Sequence, residues 1–206
     1  MPADTGADGQ RRRSPAAGCL IELIETLVLT FLIFFGVQTF VAQPYQVEQQ
    51  SMEHSVEPGE YILVDKLTPR FDDFKRGDVI VFNPPASYSE GENRPFIKRI
   101  IGIGGDTVEI RDDGKVAVNG VELSEPYTYL AQPTTASGGQ SRWVVPAGDY
   151  FVMGDHRQQS TDSRVFGVID RGEIIGRAWL RYWPLGRFGI LPAATATFAN
   201  VPRGSP

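Results

Sequence analysis

The sequence predicts an all-β domain of antiparallel strands behind a single N-terminal transmembrane helix. One long apolar segment predicts the helix, and a series of short β-rich runs separated by turn residues predicts the domain. The chain of 206 residues contains 22 glycines and 15 prolines, which favours many short strands joined by turns over a helical bundle. This length suits one domain with an anchor and a tail.

The predicted anchor spans residues 19–42 and is almost wholly apolar from Leu20 onward. At about 1.5 Å per residue, a helix of this length would cross a hydrocarbon core about 30 Å thick. Glu22 and Glu25 fall in its first turns, where their carboxylates can remain at the membrane interface. Cys19 is the only cysteine, so the chain can form no internal disulfide.

Arginines ahead of the anchor predict its orientation. Three arginines occupy positions 11–13, and the positive-inside tendency assigns residues 1–18 to the cytoplasm and Pro44 onward to the cell exterior. The alternative is a cleaved signal peptide, because the apolar segment ends in Phe40-Val41-Ala42. Since bulky Phe40 stands where such a cleavage site needs a small residue, we expect an uncleaved, single-pass anchor in the cell membrane.

The domain is predicted to occupy residues 43–192, where β-branched and aromatic residues recur in short runs. Asn119-Gly120 predicts a two-residue hairpin turn, because this pair readily takes the positive φ angles of a type I′ turn. At most one short helix is expected. The predicted strands are residues 61–64, 79–82, 96–103, 107–110, 116–118, 143–145, 150–153 and 178–183.

Three stretches are predicted to lack regular structure. Residues 83–95 and 124–142 are rich in Pro, Ser, Gly and Thr, so we expect them to form exposed loops. Residues 193–206 have little pattern and are expected to form a disordered tail.

Charge and histidine content narrow the possible functions. The formal net charge of -5 argues against a nucleic-acid-binding protein, which would normally carry a basic face. His54 and His156 are the only histidines, neither has the neighbours of a zinc site, and no Gly-x-Ser-x-Gly elbow is present. We therefore expect no metal, no cofactor and no nucleic-acid partner, and a surface or structural role for both histidines.

One lysine lies where it could act as a base. A serine hydroxyl is a weak nucleophile until a base takes its proton, and lysine can do so only if burial lowers its pKa from about 10.4 toward neutrality. Lys98 lies in an apolar run, on the same face of a predicted buried strand as Phe96 and Ile100. The residues alone leave open an ordinary strand lysine whose ammonium reaches solvent.

Several motifs occur in a defined order after the apolar segment. They are Ser51-Met52, Arg76-Gly77-Asp78, Lys98-Arg99 followed by a Gly-x-x-Gly-Asp turn at residues 102–106, and residues 154–164, which read Gly-Asp-His-Arg-x-x-Ser-x-Asp-Ser-Arg. Over about residues 19–191 the chain thereby resembles type I signal peptidases, membrane-anchored Ser/Lys proteases that remove signal peptides. His156 departs from this pattern, because the family usually has Asn there.

The resemblance implies roles for individual residues. Ser51 matches the nucleophile, Lys98 the general base, and Ser160 the serine that orients the lysine amine. Asp162 and Arg164 match an ion pair that supports the same turn. A further group matches the lining of shallow pockets for small side chains, with plain core packing as the alternative: Val47, Met52, Val56, Phe96 and Ile97.

The segment around Ser51 departs further from the family. The usual pattern is Pro-Ser-x-Ser-Met-x-Pro-Thr, whereas residues 48–55 read Glu-Gln-Gln-Ser-Met-Glu-His-Ser. The serine that helps to bind the oxyanion is replaced by Gln49, whose amide can donate a hydrogen bond, and the backbone N–H of Ser51 is the other expected donor. Without both prolines the segment is expected to be less rigid.

The resemblance implies an endopeptidase that removes N-terminal signal peptides from exported preproteins. Its expected partners are those signal peptides and the lipid bilayer, and the expected oligomeric state is a monomer. A non-catalytic membrane-tethered protein with the same fold is the main alternative. Self-cleaving Ser/Lys repressors share the catalytic logic, but they are soluble and bind DNA, and no feature supports a pilin-like or phage maturation protease.

Overall fold

The computed structural model describes residues 15–88 and 94–204, and its first element is one long helix. Helix α1 spans Pro15–Phe40, and its part Gly18–Phe40 is long and apolar enough to cross a membrane. None of its most apolar window is buried inside the protein. A helix that is apolar on all sides and packs against nothing is typical of a membrane span. The three arginines used to predict its orientation lie outside the described residues.

Two antiparallel sheets follow the helix. Their strands are β1 (Ala42–Gln46), β2 (Tyr61–Asp65), β3 (Val79–Phe82), β4 (Phe96–Ile103), β5 (Thr107–Ile110), β6 (Val116–Val118), β7 (Val121–Glu122), β8 (Arg142–Val144), β9 (Asp149–Met153), β10 (Ile169–Asp170), β11 (Ile174–Trp183) and β12 (Gly189–Ile190). The larger sheet has the order β1-β2-β11-β3-β4-β9-β10, with β12 paired to β11, and the smaller sheet has the order β7-β6-β5-β8. The domain is therefore mostly β, as the sequence predicts.

The predicted strands coincide closely with those of the structure. Seven of the eight runs match a strand to within one residue at each end, and the run 178–183 is the second half of β11. The predicted hairpin turn joins β6 to β7, with φ angles of 52° at Asn119 and 80° at Gly120. Among the described residues after α1, the one α-helix is α2 (Ser163–Phe166), which agrees with the expectation of at most one.

Strand β1 was not predicted, although it connects the helix to the sheet. Only Val41 separates the end of α1 from Ala42, and β1 pairs along its whole length with β2. Pro44 argues against a strand in sequence-based reasoning, because proline cannot donate to a sheet ladder. Here β1 is an edge strand with one neighbour, where proline is tolerated. Strands β10 and β12 have only two residues each and are too short to leave a pattern.

Strand β4 lies at the centre of the apolar core. Three clusters of buried side chains fill the domain, and β4 contributes a different residue to each: Ile101, Ile97 and Ile100. In the larger sheet β4 pairs with β3 on one side and β9 on the other, with Ile80 opposite Lys98 and Met153 opposite Arg99. The register of this strand, and with it the position of Lys98, is fixed by packing on both of its faces.

Two of the predicted irregular regions are more ordered than expected. The described part of residues 193–206 includes a 3-10 turn at Thr195–Phe198, and Phe198 and Val201 are buried in the same cluster as the smaller sheet. Arg76 donates to the carbonyl oxygens of Val201 and Pro202. These contacts join the segment to the domain, so the prediction of a disordered tail is not met for residues 193–204.

The loop 124–142 is likewise not wholly exposed. Tyr127 and Thr134 are buried, and Glu125 and Thr134 both accept hydrogen bonds from Arg157. A buried guanidinium needs several acceptors, and this loop provides two of them. Of the other predicted loop, residues 89–93 lie outside the described part of the chain.

Candidate active site

Ser51 and Lys98 are brought together at the face of the larger sheet. Ser51 lies in the 3-10 turn Gln50–Met52, and Lys98 projects from β4. Their Nζ and Oγ atoms are 2.7 Å apart, and the same amine donates to the carbonyl oxygen of Ile97 at 3.1 Å. Ser51 is 3% exposed and Lys98 is 1% exposed. The lysine is therefore not a strand residue whose ammonium reaches solvent.

Burial controls the pKa of Lys98. Removal of the ammonium from water lowers this pKa from its ordinary value of 10.5 to about 8. The carboxylates of Asp162 and Asp155 oppose the effect, because negative charge nearby favours the ammonium, whereas Arg164 adds to it. The amine can consequently lose its proton at a pH not far above neutral, whereas an exposed lysine remains protonated there.

Ser160 lies beside this pair but makes no bond to it. Its Oγ is buried and has no hydrogen-bond partner among the described residues. The hydroxyl is close enough to the Asp162 carboxylate to favour its ionised form, yet not in hydrogen-bonding geometry. The resemblance predicts a bond from Ser160 to the lysine amine, and in this conformation the amine bonds to Ser51 and Ile97 instead.

Asp162 and Arg164 form a buried ion pair under the turn that carries Ser160. Arg164 donates through Nε and Nη2 to the two carboxylate oxygens, at 2.8 and 2.7 Å. Burial alone would raise the pKa of Asp162, but the guanidinium and the backbone N–H of Gly154 hold it below its usual value. Nη2 of Arg164 also donates to the carbonyl oxygen of Arg157 and so stabilises the turn further.

Gly154 allows the two active-site turns to approach each other closely. A Cβ atom built at this position would lie 2.5 Å from the carbonyl oxygen of Ser51 and 2.6 Å from Cβ of Ser160. Real Cβ contacts are almost never below 3.0 Å, so only glycine fits here without displacement. The first residue of the motif 154–164 therefore sets the separation between Ser51 and Ser160.

The residue after the lysine connects the same turns through a second ion pair. Arg99 donates through Nε and Nη2 to the Asp155 carboxylate at 2.9 and 2.7 Å, and its guanidinium stacks over Tyr127. Ser55 donates to the same carboxylate at 2.5 Å. The chain around Ser51 is thus bound to the strand that carries Lys98 and to the 154–164 turn. Sequence reasoning assigned no role to Ser55, Asp155 or Tyr127, although Asp155 lies within the motif 154–164.

A histidine and a glutamate make a further connection. Nδ1 of His156 lies 2.6 Å from Oε2 of Glu53, and the backbone N–H of His156 donates to the carbonyl oxygen of Ser51 at 3.0 Å. The Tyr129 ring stacks on the imidazole, with 4.2 Å between ring centroids. The expectation of a structural role for His156 fits these contacts, whereas its position beside Ser51 was not predicted.

A cavity of about 240 Å³ is lined mainly by residues that come shortly before Ser51 and Lys98 in the chain. It lies between residues 45–49 and the start of β4, and its lining includes Val47, Gln49 and Ile97. Met52 and Val56 are fully buried in the apolar cluster that also holds Val47 and Ile97, so they support the cavity from behind. Phe96 packs edge-on against Phe82 in another cluster. Gln49 is half-buried and is one of the residues that line the cavity.

Comparisons with known proteins agree on one family. Residues 20–183 match the family described as signal peptidase, peptidase S26. The chain is 36% identical over 193 residues to signal peptidase I of Leptolyngbya laminosa, covering 92% of this chain and 91% of that protein. It is 32% identical over 184 residues to signal peptidase IB of Staphylococcus aureus, covering 82% of this chain and 92% of that protein.

A solved structure is also similar. The crystal structure of a signal peptidase I from Enterococcus faecalis has 34% sequence identity to this chain and a TM-score of 0.41. The match covers 52% of this chain and 97% of that structure.

Proposed function

The chain belongs to the signal peptidase family, peptidase S26, and is a hydrolase of that family; from this premise we propose that it is a membrane-anchored Ser/Lys endopeptidase. Its proposed reaction is the removal of N-terminal signal peptides from exported preproteins. Ser51 is the proposed nucleophile and Lys98 the proposed general base.

One observation carries the mechanism. A lysine amine with a pKa of about 8 lies 2.7 Å from a buried serine hydroxyl, and no second base is in contact with that hydroxyl among the described residues. This distance is within hydrogen-bond reach, which proton transfer requires. The arrangement supports catalysis by a serine and an amine better than a non-catalytic role, because burial of an unpaired lysine is costly without function.

In the proposed mechanism the neutral amine of Lys98 accepts the Ser51 proton while Oγ attacks the carbonyl carbon of the scissile bond. The resulting ammonium donates that proton to the departing amine, which leaves an acyl ester on Ser51. The amine then takes a proton from a water molecule that attacks the ester. Return of this proton to Oγ releases the signal peptide with a free carboxylate and restores the enzyme.

The negative charge that develops on the carbonyl oxygen requires donors. The backbone N–H of Ser51 belongs to the first residues of a 3-10 turn, where amides have no partner within the turn. Gln49 is the second proposed donor, since it is half-buried, stands two residues before Ser51 and lines the cavity. Each such donor contributes about 10²–10³ in rate in comparable sites.

Ser160 has a proposed role in the second half of the cycle. Its buried hydroxyl has no hydrogen-bond partner among the described residues, and the proposed role is that a change of side-chain rotamer offers the Lys98 amine an acceptor whenever Ser51 is acylated. Asp162 and Arg164 are proposed to support this turn. The positions of both side chains are consistent with orientation of the amine and not with direct chemistry.

The cavity supports a preference for small side chains. An extended substrate would bind most simply as an added strand between residues 45–49 and the start of β4, with its side chains entering the cavity in alternation. Val47 and Ile97 are the proposed contact surfaces, and Met52, Val56 and Phe96 the proposed support behind them. We propose that Ala is favoured before the scissile bond and two positions further upstream.

The proposed topology follows from α1. With this helix in the bilayer and the N-terminal segment in the cytoplasm, the β domain faces the cell exterior. Protease added to intact spheroplasts is expected to digest the domain. Full protection until lysis would contradict this orientation.

Cleavage of a model preprotein tests the activity. The full chain in detergent is mixed with a preprotein whose signal ends in Ala-x-Ala, and the new N-terminus is sequenced. We expect one cut directly after that motif, and none with Ser51→Ala. Cutting at equal rates when Phe replaces the final Ala would contradict the pocket assignment, and no cutting at all would favour the non-catalytic alternative.

A further inference from the structure

The turn that follows the nucleophile has a conformation that the usual family sequence cannot adopt. His54 occupies the position where the family pattern has proline, and its φ angle is 85°. Proline is restricted to φ near −65°, so this backbone excludes it. The turn of this chain is consequently built in a different way, and its rigidity must come from contacts other than a proline ring.

Those contacts come from His156, which the family pattern has as asparagine. Its backbone N–H donates to the carbonyl oxygen of Ser51, and its side chain bonds at 2.6 Å to Glu53, two residues further along the turn. A carboxylate oxygen accepts hydrogen bonds, so the bond forms in the tautomer that carries its hydrogen on Nδ1 of the imidazole. One residue therefore holds the nucleophile turn through its backbone and its side chain.

The surroundings hold this pair in one arrangement. The side chains of His156 and Glu53 are 11% and 18% exposed, and Tyr129 covers the imidazole with its ring tilted by 30°. The backbone N–H of Tyr129 donates to the carbonyl oxygen of Asp155, so the covering ring is itself attached to the 154–164 turn. The Tyr129 ring thus shields the hydrogen bond from water on one side, and a hydrogen bond with less competition from water is stronger.

We propose that Glu53 and His156 are positioning residues that hold Ser51 in line with Lys98, in place of the prolines that brace this segment in the family pattern. The inference rests on the proposed function. Among the described residues, Lys98 Nζ bonds only with Ser51 Oγ and Ile97. The pair therefore acts through the backbone of the turn and takes no part in proton transfer.

Kinetics of paired variants test this role. In Glu53→Ala and His156→Asn the connection is lost, while the backbone N–H at position 156 remains. Each is expected to lower kcat about tenfold and to change KM less than about twofold, because misplacement of a nucleophile by a fraction of an ångström affects the chemical step more than binding. The double variant is expected to be no slower than the slower single variant, since both changes remove the same bond.

A conservative variant separates positioning from folding. Glu53→Gln retains an oxygen that can accept from Nδ1, so its kcat is expected to stay within about threefold of the unmodified chain. Unchanged kcat in Glu53→Ala, losses that multiply in the double variant, or a loss confined to KM would each overturn the proposal. If Glu53→Ala does not fold, the kcat values of Glu53→Gln and His156→Asn decide the question. A kcat close to that of the unmodified chain in both variants would overturn the proposed positioning role.

Substitutions at His54 test the conformation of the turn independently. His54→Gly is expected to retain kcat within about twofold, because glycine accepts a positive φ angle. His54→Pro is expected to lower kcat at least about tenfold, although it restores the residue usual in the family. An active His54→Pro variant would overturn the inference alone, whereas no cleavage by the unmodified chain would overturn the proposed function together with it.

Discussion

Substitution of Gly154 by alanine is expected to separate the two halves of the active site. The new Cβ would lie 2.5 Å from the carbonyl oxygen of Ser51, whereas ordinary contacts begin at 3.4 Å. Relief of this overlap requires a displacement of about 1 Å. The atom of Ser51 in this contact belongs to its backbone, so the displacement cannot be absorbed by rotation of a flexible side chain. It must move Ser51, the proposed nucleophile, or the 154–164 turn.

The size of the effect follows from that displacement. A misplacement of about 1 Å in a reacting group costs about 10² in rate, which corresponds to about 2.7 kcal/mol of activation free energy. Overpacking of a close contact also costs about 1–3 kcal/mol of stability. We therefore expect a lower melting temperature together with a kcat about a hundredfold below that of the unmodified chain.

Preprotein cleavage under saturating substrate measures kcat, and thermal unfolding of the same preparation measures stability. Gly186→Ala is the matched control, because a Cβ at Gly186 would meet nothing within 4 Å and its φ angle is not positive. It is expected to be neutral in both measurements. A Gly154→Ala variant with kcat within threefold of the unmodified chain would refute the claim that close approach at this glycine sets the geometry.

Four further predictions concern single features of the domain. Lys98→Met and Lys98→Arg should both abolish cleavage without unfolding, as checked by cleavage assays and circular dichroism; near-normal turnover in either would exclude lysine as the base. The pKa of about 8 means that only about a tenth of the amine is neutral at pH 7, so a pH profile of kcat/KM should rise through pH 8 and then level off; a profile that is flat from pH 6 to 9 would contradict this. If Gln49 donates to the oxyanion, Gln49→Ala should lower kcat about 10²–10³-fold; a silent Gln49→Ala together with a faster Gln49→Ser would mean that the amide points away. Phe198→Ala should lower the unfolding free energy by about 3–5 kcal/mol in denaturant titrations, and a loss below about 1 kcal/mol would mean that residues 193–204 contribute little to the fold.

Much of the fold could be predicted because its strands carry local patterns. The run 96–103 is apolar apart from Lys98, Arg99 and Gly102 and was predicted with the correct bounds, since a strand buried on both faces leaves a run rich in apolar residues. The hairpin at Asn119 was predicted from turn chemistry alone. In contrast, β1 contains a proline, and residues 193–204 have only two buried apolar side chains, Phe198 and Val201. Neither has enough periodicity to indicate structure.

The site was predictable only in part for a related reason. Ser51 and Lys98 were found through motifs, yet their 2.7 Å separation depends on pairing of residues far apart in the chain. The contacts of Glu53 with His156 and of Ser55 with Asp155 each span about a hundred residues, and no local pattern encodes them. The bond from Ser160 to the amine that the resemblance implies is absent because the amine bonds to Ser51 and Ile97 instead, and a sequence motif does not determine which acceptor a side chain takes.

Helix α1 leads into β1 without a flexible linker, so the domain is attached closely to the helix. Val41 alone lies between them, its N–H donates to Val37 in the helix, and its carbonyl oxygen accepts from Lys66 at the end of β2. With α1 in the bilayer as proposed, these two hydrogen bonds restrict rotation of the domain relative to its anchor. The height of Ser51 above the lipid surface is then fixed, and under the proposed function we expect cleavage only of a peptide bond that the substrate's own membrane segment holds at that height. We expect that flexible residues inserted after Val41 would leave the catalytic chemistry intact but would remove the fixed distance between Ser51 and the lipid surface.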